Sequence, residues 1–338
     1  MRHIGVDLIY RGKNITRSIK NDLISFSYDE KAAGSSDSLS LTLANKSLKW
    51  FNSWFPETGD QIKAKILTYD WSKPDEIKAL DCGSMVVDEP EFTGPPNTFT
   101  LKALSVPAAA GYSDTTADHT WAKISMKQLG QSIAKKYGLS FLYDAPLGFV
   151  ISSLKQSNQT DSDFLIDTAS KYNLSVKIFS NRLVIYSKAA YEKRASVATY
   201  TLGKSNISNY QFYAPTVGTG YSMVTETYQP PNSKKQLSYT FRIPGTSGGK
   251  ALTMNESADN LAQAEMIAKA KLRESNEQMY HGTLTVALNL QLAAACVIKL
   301  AGFGKFNGNY FIDSATHTGG TQAGQTEIGI HKCLEGGY

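Results

Sequence analysis

The sequence predicts a mainly β chain of the α+β class, with a β domain over residues 1–113, a small α/β domain over 114–194 and a second β domain over 195–338. Three observations carry that prediction. Apolar and polar residues alternate through the outer segments, the pattern of strands with one buried face. Between them the period lengthens to that of an amphipathic helix, and a helix-then-strand unit occurs twice. At 338 residues the chain has room for roughly two domains of ordinary size, so a sizeable core can be buried.

In the first segment Leu39–Leu43, Ile62–Ile66 and Phe99–Ala103 alternate strictly, and Gly59-Asp60 and Gly94-Pro95-Pro96 supply turns. Trp50-Phe51-Asn52-Ser53-Trp54-Phe55-Pro56 interrupts the strands with a dense aromatic cluster, its two Trp at helical spacing. Such a cluster either plugs one end of the β domain as a helical turn or presents an anchor patch to a partner.

In the second segment Ser125 and Gln128 form a capping box ahead of the stripe Leu129, Ile133, Ala134 and Tyr137, and Gly138 is the expected C-cap. The arrangement then recurs. Thr160 and Asp163 stand for Ser125 and Gln128, Phe164 for Leu129, and Ala169–Ser175 matches Ala134–Ser140. Two copies are too few for a solenoid, so the helices are expected to pack on short strands at Ser140–Tyr143, Ser175–Phe179 and Leu183–Tyr186.

The third segment returns to strands, expected at Tyr200–Leu202, Ile207–Tyr213, Tyr221–Tyr228, Leu237–Ile243, Thr283–Leu290, Ala295–Leu300, Tyr310–Thr316 and Thr326–His331. One helix is expected over about 256–278, with Glu256 and Asp259 in its first turn and a Glu265 to Lys269 pair. Its stripe of Leu261, Ala264, Ala268 and Leu272 is narrow, as suits a helix laid flat on the outside of a sheet. Asn307-Gly308 reads as a two-residue hairpin turn, and Pro230–Ser233 and Pro244–Gly249 as exposed loops.

Charged residues make up 19% of the chain, below the roughly 25% of an ordinary domain, while Tyr and Phe number 18 and 14. The net charge of +5 is uneven, because residues 116–195 carry 11 basic and 6 acidic groups. Lys and Arg are dispersed between apolar positions with no run longer than two, which argues against a specific nucleic-acid partner. No apolar run approaches the ~20 residues of a membrane-spanning helix, so no membrane insertion is expected. The N-terminus lacks the apolar core and cleavage site of a signal peptide, and synthesis in a cytoplasm is expected. Cys82, Cys296 and Cys333 are widely spaced and read as buried thiols.

Catalytic chemistry finds little footing. The loop Gly245-Thr246-Ser247-Gly248-Gly249 spells Gly-x-Ser-x-Gly but is followed by no helical pattern, and His3, His119, His281, His317 and His331 are scattered. His331-Lys332-Cys333 and His317 could bring ligands near each other only if the last two strands pair, and no fourth ligand supports a metal. Gly302-x-Gly304 precedes no helix, so it is not a dinucleotide loop. The acidic cluster Asp88-Glu89-Pro90-Glu91 reads as a solvated turn rather than a glycosidase pair. The expectation is no catalytic residue, no cofactor and no metal.

Phe26-Ser27-Tyr28 opening an early strand, then Leu39–Leu43, Trp50–Pro56 and Gly59-Asp60-Gln61-Ile62, resembles the N-terminal barrel of the late control D proteins, the baseplate hub family of contractile phage tails. The tandem unit with Asp163-Phe164-Leu165 and Leu183-Val184-Ile185 resembles that family's middle domain. The stretch Gly302–Ile312, with His317 and the final strand, is similar to its C-terminal barrel and to the hub portion of type VI secretion spike proteins. The resemblance implies two tail-tube-like β-barrels around a small α/β domain in a virion structural protein without enzymatic activity. Its implied partners are two further copies in a homotrimer, the tail tube protein, a spike protein on a separate polypeptide, and other baseplate proteins. A rival reading is a cell-wall-binding or peptidoglycan-hydrolysing tail-tip protein, since Ile133–Leu139 looks like the first helix of a LysM glycan-binding module, although the usual Gly-Asp-Thr leader is absent. The candidate interface residues are Trp50, Trp54, Phe55, Phe303, Phe306 and Tyr310. A ring subunit surrounded by partners also accounts for the low charge, with the shortfall expected at lateral edges and the basic middle segment facing outward.

Overall fold

Strict alternation becomes strands that bury every second side chain in the computed structural model, which describes residues 3–338 apart from 72, 108, 147, 149, 231–233 and 337. The first segment forms β1 (His3–Tyr10), β2 (Lys13–Asn14), α1 (Thr16–Ile19), β3 (Leu23–Lys31), β4 (Ser38–Ala44), β5 (Gln61–Tyr69), β6 (Ile77–Thr93) and β7 (Thr98–Leu104). The middle forms β8 (Thr116–Ile124), α2 (Met126–Lys136), β9 (Ser140–Asp144), β10 (Ile151–Thr160), α3 (Asp161–Lys171), β11 (Ser175–Phe179), β12 (Arg182–Tyr186) and α4 (Lys188–Tyr191). The last forms β13 (Ala198–Thr201), β14 (Ile207–Tyr213), β15 (Tyr221–Tyr228), β16 (Leu237–Arg242), β17 (Lys250–Met254), α5 (Leu261–Glu277), β18 (His281–Ala287), β19 (Val297–Ala301), β20 (Gly308–Gly320) and β21 (Gln325–Lys332).

The two outer β units are built alike. In chain order the strands of the first unit are β1, β3, β4, β5, β6 and β7, and they lie side by side as β3-β4-β7-β6-β5-β1. The last unit's β13, β14, β18, β19, β20 and β21 lie as β14-β18-β21-β20-β19-β13, the same permutation. Register repeats as well. Leu23 faces Leu43 with an extra residue following, as Ile207 faces Val286. Ser38 faces Leu104 as His281 faces His331. A bulge places Asp88 between the pairs Val87–Ala103 and Glu89–Lys102, and another places Asp313 between Ile312–Ile330 and Ser314–Gly329. Gly83 and Gly308, both at positive φ, face Ala64 and Leu300 at matching positions. The edge strands differ, since β1 runs antiparallel to β5 and β13 parallel to β19.

Each unit wraps its strands around one core. Leu8, Phe26, Leu41, Ile66, Val87 and Leu101 meet in the first, and Leu284, Ile298, Leu300, Ile312, Ile328 and Ile330 in the last. A shared strand joins them into one 13-stranded sheet: β20 pairs with β19 through Gly308–Phe311 and, beyond its bulge, with β3 through Ser314–Gly320.

Between the units the duplicated element proves to be strand–helix–strand. β8 and β10 pair with each other, while β9 and β11 flank β12. Ser125 and Gln128 close the capping box on α2, and the Thr160 hydroxyl accepts from the Asp163 amide on α3. Both helices end alike, with Leu139 N–H donating to Ala134 and Leu174 N–H to Ala169.

Several expectations need correction. α5 starts at Leu261 behind an Asn260 cap, so Glu256 and Asp259 precede it, and Leu261 is 57% exposed rather than part of the stripe. Asn competes well as an N-cap because its side-chain oxygen accepts from Gln263 N–H. The β19–β20 connection runs through a 3₁₀ turn at Gly304–Phe306, not a two-residue Asn-Gly turn. β15, β16 and β17 leave the large sheet and form their own, which α5 covers; Ala264 and Ile267 reach the middle domain's core. Pro244–Gly249 is a largely exposed loop, whereas residues 231–233 of Pro230–Ser233 lie outside the described residues.

Candidate interaction surfaces

The aromatic cluster of the first unit divides between core and surface. In the 3₁₀ turn Lys49–Phe51, Trp50 is 2% exposed, stacked on Phe99 at 4.4 Å and edge-on to Trp54 at 5.3 Å. It plugs the unit and cannot itself touch a partner. Trp54 is half-buried under the Lys49 ammonium, 4.9 Å from its ring. Phe55 and Phe51 point outward, 52% and 49% exposed, and stack on Phe92 at 5.7 and 4.4 Å.

The last unit carries a second cluster. Tyr310 is fully buried and belongs to the core rather than to an interface. Phe303 and Phe306 are half-buried, and both stand 5.4 Å from Phe212. Tyr210 completes the patch, 45% exposed and 5.3 Å from Phe303. Phe51 lies within the Trp50–Pro56 cluster that the sequence marks, whereas Phe92, Tyr210 and Phe212 stand outside the aromatic residues it singles out. The usable signal is the chain from Ser205 to Thr225, which contains no charged residue yet carries Tyr210, Phe212, Tyr213 and Tyr221.

Two strand edges of the outer units adjoin the aromatic clusters and are unpaired among the described residues. β6 pairs with β5 up to Val86 and with the Gly59-Asp60 turn at Val87, so its length beyond Asp88 is open on that side, and β14 pairs only with β18. The acidic cluster lies on the first of these edges. Asp88, Glu89 and Glu91 are exposed, with Lys102 at 2.9 Å from Glu89 and 2.8 Å from Glu91, which holds the Lys102 ammonium well above its usual range. An ion-paired, solvated strand is not a hydrolase pair buried in a cleft.

Buried charges hold the middle domain to both units. Lys177 on β11 lies 3.1 Å from Asp37 and 3.5 Å from Glu30, and it donates to the Lys31 carbonyl. Burial pushes both carboxyls up, and Lys177 opposes that push. On the other side Glu192 accepts from Arg273, from His331 Nε2 at 2.9 Å and from Leu334 N–H. Burial alone would raise Glu192, but His331 and Arg273 bring it down to about 2. Burial would likewise lower His331, but Asp313 at 2.6 Å from Nδ1, with Glu192, raises it to about 9.

Glu192, Glu277 and His331 are close enough to share a cation, yet Arg273 occupies the centre, its Nε 3.0 Å from Glu277. A guanidinium supplies the charge that a metal would. His317, the other expected neighbour, faces Thr326 while His331 faces Phe311, so strand pairing separates them. His317 is fully buried, and burial lowers it to about 4. Cys82 is buried, and Cys296 and Cys333 are half-buried free thiols. Leu129, Ile133 and Ala134 of the LysM-like helix point into the middle domain's core. No helix among the described residues is long and apolar enough to cross a membrane.

No protein-family model matches the chain, and no curated protein matches it in sequence. Solved structures match it in fold over nearly its full length. The tail protein of Neisseria meningitidis MC58 superposes with a TM-score of 0.72 at 13% identity, covering 97% of this chain and 96% of that one. The 43 kDa tail protein of prophage MuSo2 from Shewanella oneidensis gives 0.68 at 12% identity, covering 97% and 98%. The Escherichia coli c3393 protein, described as a component of the type VI secretion system, gives 0.61 at 11% identity, covering 100% and 78%. From its first β unit to its last, this chain has the fold of phage and prophage tail proteins.

Proposed function

We propose that the chain is a structural component of a phage tail or tail-like particle: the baseplate hub, whose homotrimer joins a hexameric tail tube to a trimeric spike. The observation that carries this reading is the register-matched repeat of the two outer β units. A unit present twice in each chain lets three chains offer six equivalent faces to a sixfold tube, while the threefold repetition of the chain suits a threefold spike. Full-length likeness to tail proteins of two organisms supports it. In this reading segments 1–113 and 195–338 build the ring as tube-like barrels, and the basic segment 114–194 faces outward toward other baseplate proteins. The role is mechanical rather than enzymatic, and the buried Lys177 and Glu192 clusters make one rigid body of the three segments. After synthesis in the host cytoplasm the chain is carried in the virion tail.

Reconstruction of purified tail particles tests this. Three copies are expected at the junction of tube and spike, and a particle whose junction is built without this chain overturns the reading.

A further inference from the structure

The repeat predicts more than a shape, because one unit shows what the other lacks. Within the chain, β20 beyond its bulge pairs with β3: Ala315 faces Glu30, His317 faces Tyr28 and Gly319 faces Phe26. All six of these positions are buried. Transferred through the matching registers, the β20 positions become Pro90, Phe92 and Gly94, and the β3 positions become Ala214, Phe212 and Tyr210. These are the two open edges, and none of the six is fully buried.

The hydrogen bonding transfers in detail. Ile312 exchanges bonds with Ala295 and Cys296, as Val87 does with Gly59 and Asp60. The next carbonyl on that side, Asp313's, accepts from Ala32 of the neighbouring unit. Its counterpart on Asp88 has no such neighbour and accepts from the Thr58 hydroxyl at 3.2 Å instead. The connections that follow the third strand of each unit agree as well. Residues 288–296 of the last unit lay Leu288 and Leu290 against the first unit's core, whereas residues 45–60 of the first leave Phe51 and Phe55 exposed.

We infer that the open edge of β6 pairs with the open edge of β14 on a second copy of this chain. Phe92 then faces the second copy's Phe212, Thr93 faces Gln211 and Gly94 faces Tyr210. Phe51 and Phe55 close over the Tyr210–Phe303–Phe306 patch. An exposed edge strand carrying no charge is an association surface unless something covers it, and β14 lies within the charge-free run 205–225. The contact is head-to-tail, so it forms a ring only if its rotation closes. Pro90 withholds an N–H from the edge, which leaves the pairing weaker than its intrachain template and reversible before assembly.

The inference rests on the proposal that copies of the chain build a ring, and the test separates the two. Thr93 and Gln211 would sit as a non-hydrogen-bonded pair, the geometry in which opposed Cβ atoms come closest. The variant Thr93→Cys/Gln211→Cys, oxidised in the purified full chain, is expected to give about tenfold more covalent trimer on a non-reducing gel than either single variant. The closed product should be confined to three copies. No cross-linking beyond the single variants, whether the chain is monomeric or trimeric by light scattering, overturns the pairing. The hub reading is then judged separately, by where the chain sits in the tail particle. A ladder that runs past three would sustain the pairing and overturn closure at three.

Discussion

The first and last β units share strand order, register and bulge positions, yet they meet different surroundings, and almost every difference between them follows from what each touches. Positions 30 and 37 of the first unit are acidic and hold Lys177 of the middle domain; the matching positions in the last unit are Ala214 and Tyr280, with no such charge to receive. Position 92 is a half-exposed Phe where position 317 is a buried His. The backbone frame was kept while side chains were exchanged according to burial and neighbour. That separation explains why a repeat so regular in hydrogen bonding is nearly absent from the residue identities.

The largest test of this contrast lies at Trp50, for which the shorter connection of the last unit has no counterpart. Trp50→Ala should cost about 4 kcal/mol in urea or thermal unfolding, the usual loss for emptying a large aromatic site. A loss below about 1 kcal/mol would place Trp50 on the surface after all.

Next comes Lys177→Met, expected to cost about 3 kcal/mol at neutral pH because it leaves Glu30 and Asp37 buried without a cation. Both carboxyls already sit above their usual range through burial, so protonation favours the folded state. The deficit of the variant should therefore shrink as pH falls; a deficit that grows would mean the pair is not what Lys177 neutralises.

His317 supplies the third. Burial lowers it from 6.5 to about 4, so the folded state disfavours its proton. Its contribution is fully present above pH 6.5 and is lost as pH falls toward 4, by about 2 kcal/mol between pH 7 and pH 5. His317→Phe, which installs the residue of the matching position, should flatten that part of the stability–pH curve. His331 works in the opposite sense: raised to about 9, it stabilises below pH 6.5 and the gain is lost as pH rises through 9.

The smallest effect is expected at Phe55→Ala. A half-exposed ring that touches little should change the stability of the isolated chain by less than about 0.5 kcal/mol. A core-sized loss there would erase the distinction drawn between Trp50 and Phe55.

Local signals were readable and distant ones were not. Leu39–Leu43 and Phe99–Ala103 could be placed because one buried face forces period two. The helix repeat could be placed because caps and C-terminal turns are made by neighbours in sequence. β6 could not, since Pro90 and the acids beside it look like a turn until the open edge that tolerates them is seen. Glu256 and Asp259 suit a first turn electrostatically and so predict an earlier start for α5, while Asn260 caps the helix by accepting from Gln263 N–H. The candidate surfaces were half legible: aromatic density marked both ends, but only packing divides Trp50 and Tyr310 from Phe55 and Phe303.

The shared strand also sets a timetable. β3 leaves the ribosome roughly 290 residues ahead of the partner for its outer edge, Ser314–Gly320. At roughly 5–20 residues per second, the interval is on the order of 15–60 s. Through that time the nascent first unit offers an unpaired edge over Phe26 and Tyr28, and other chains on the same messenger offer matching strands. The fold is completed from its far end, and the producing cell must keep neighbouring chains apart until then.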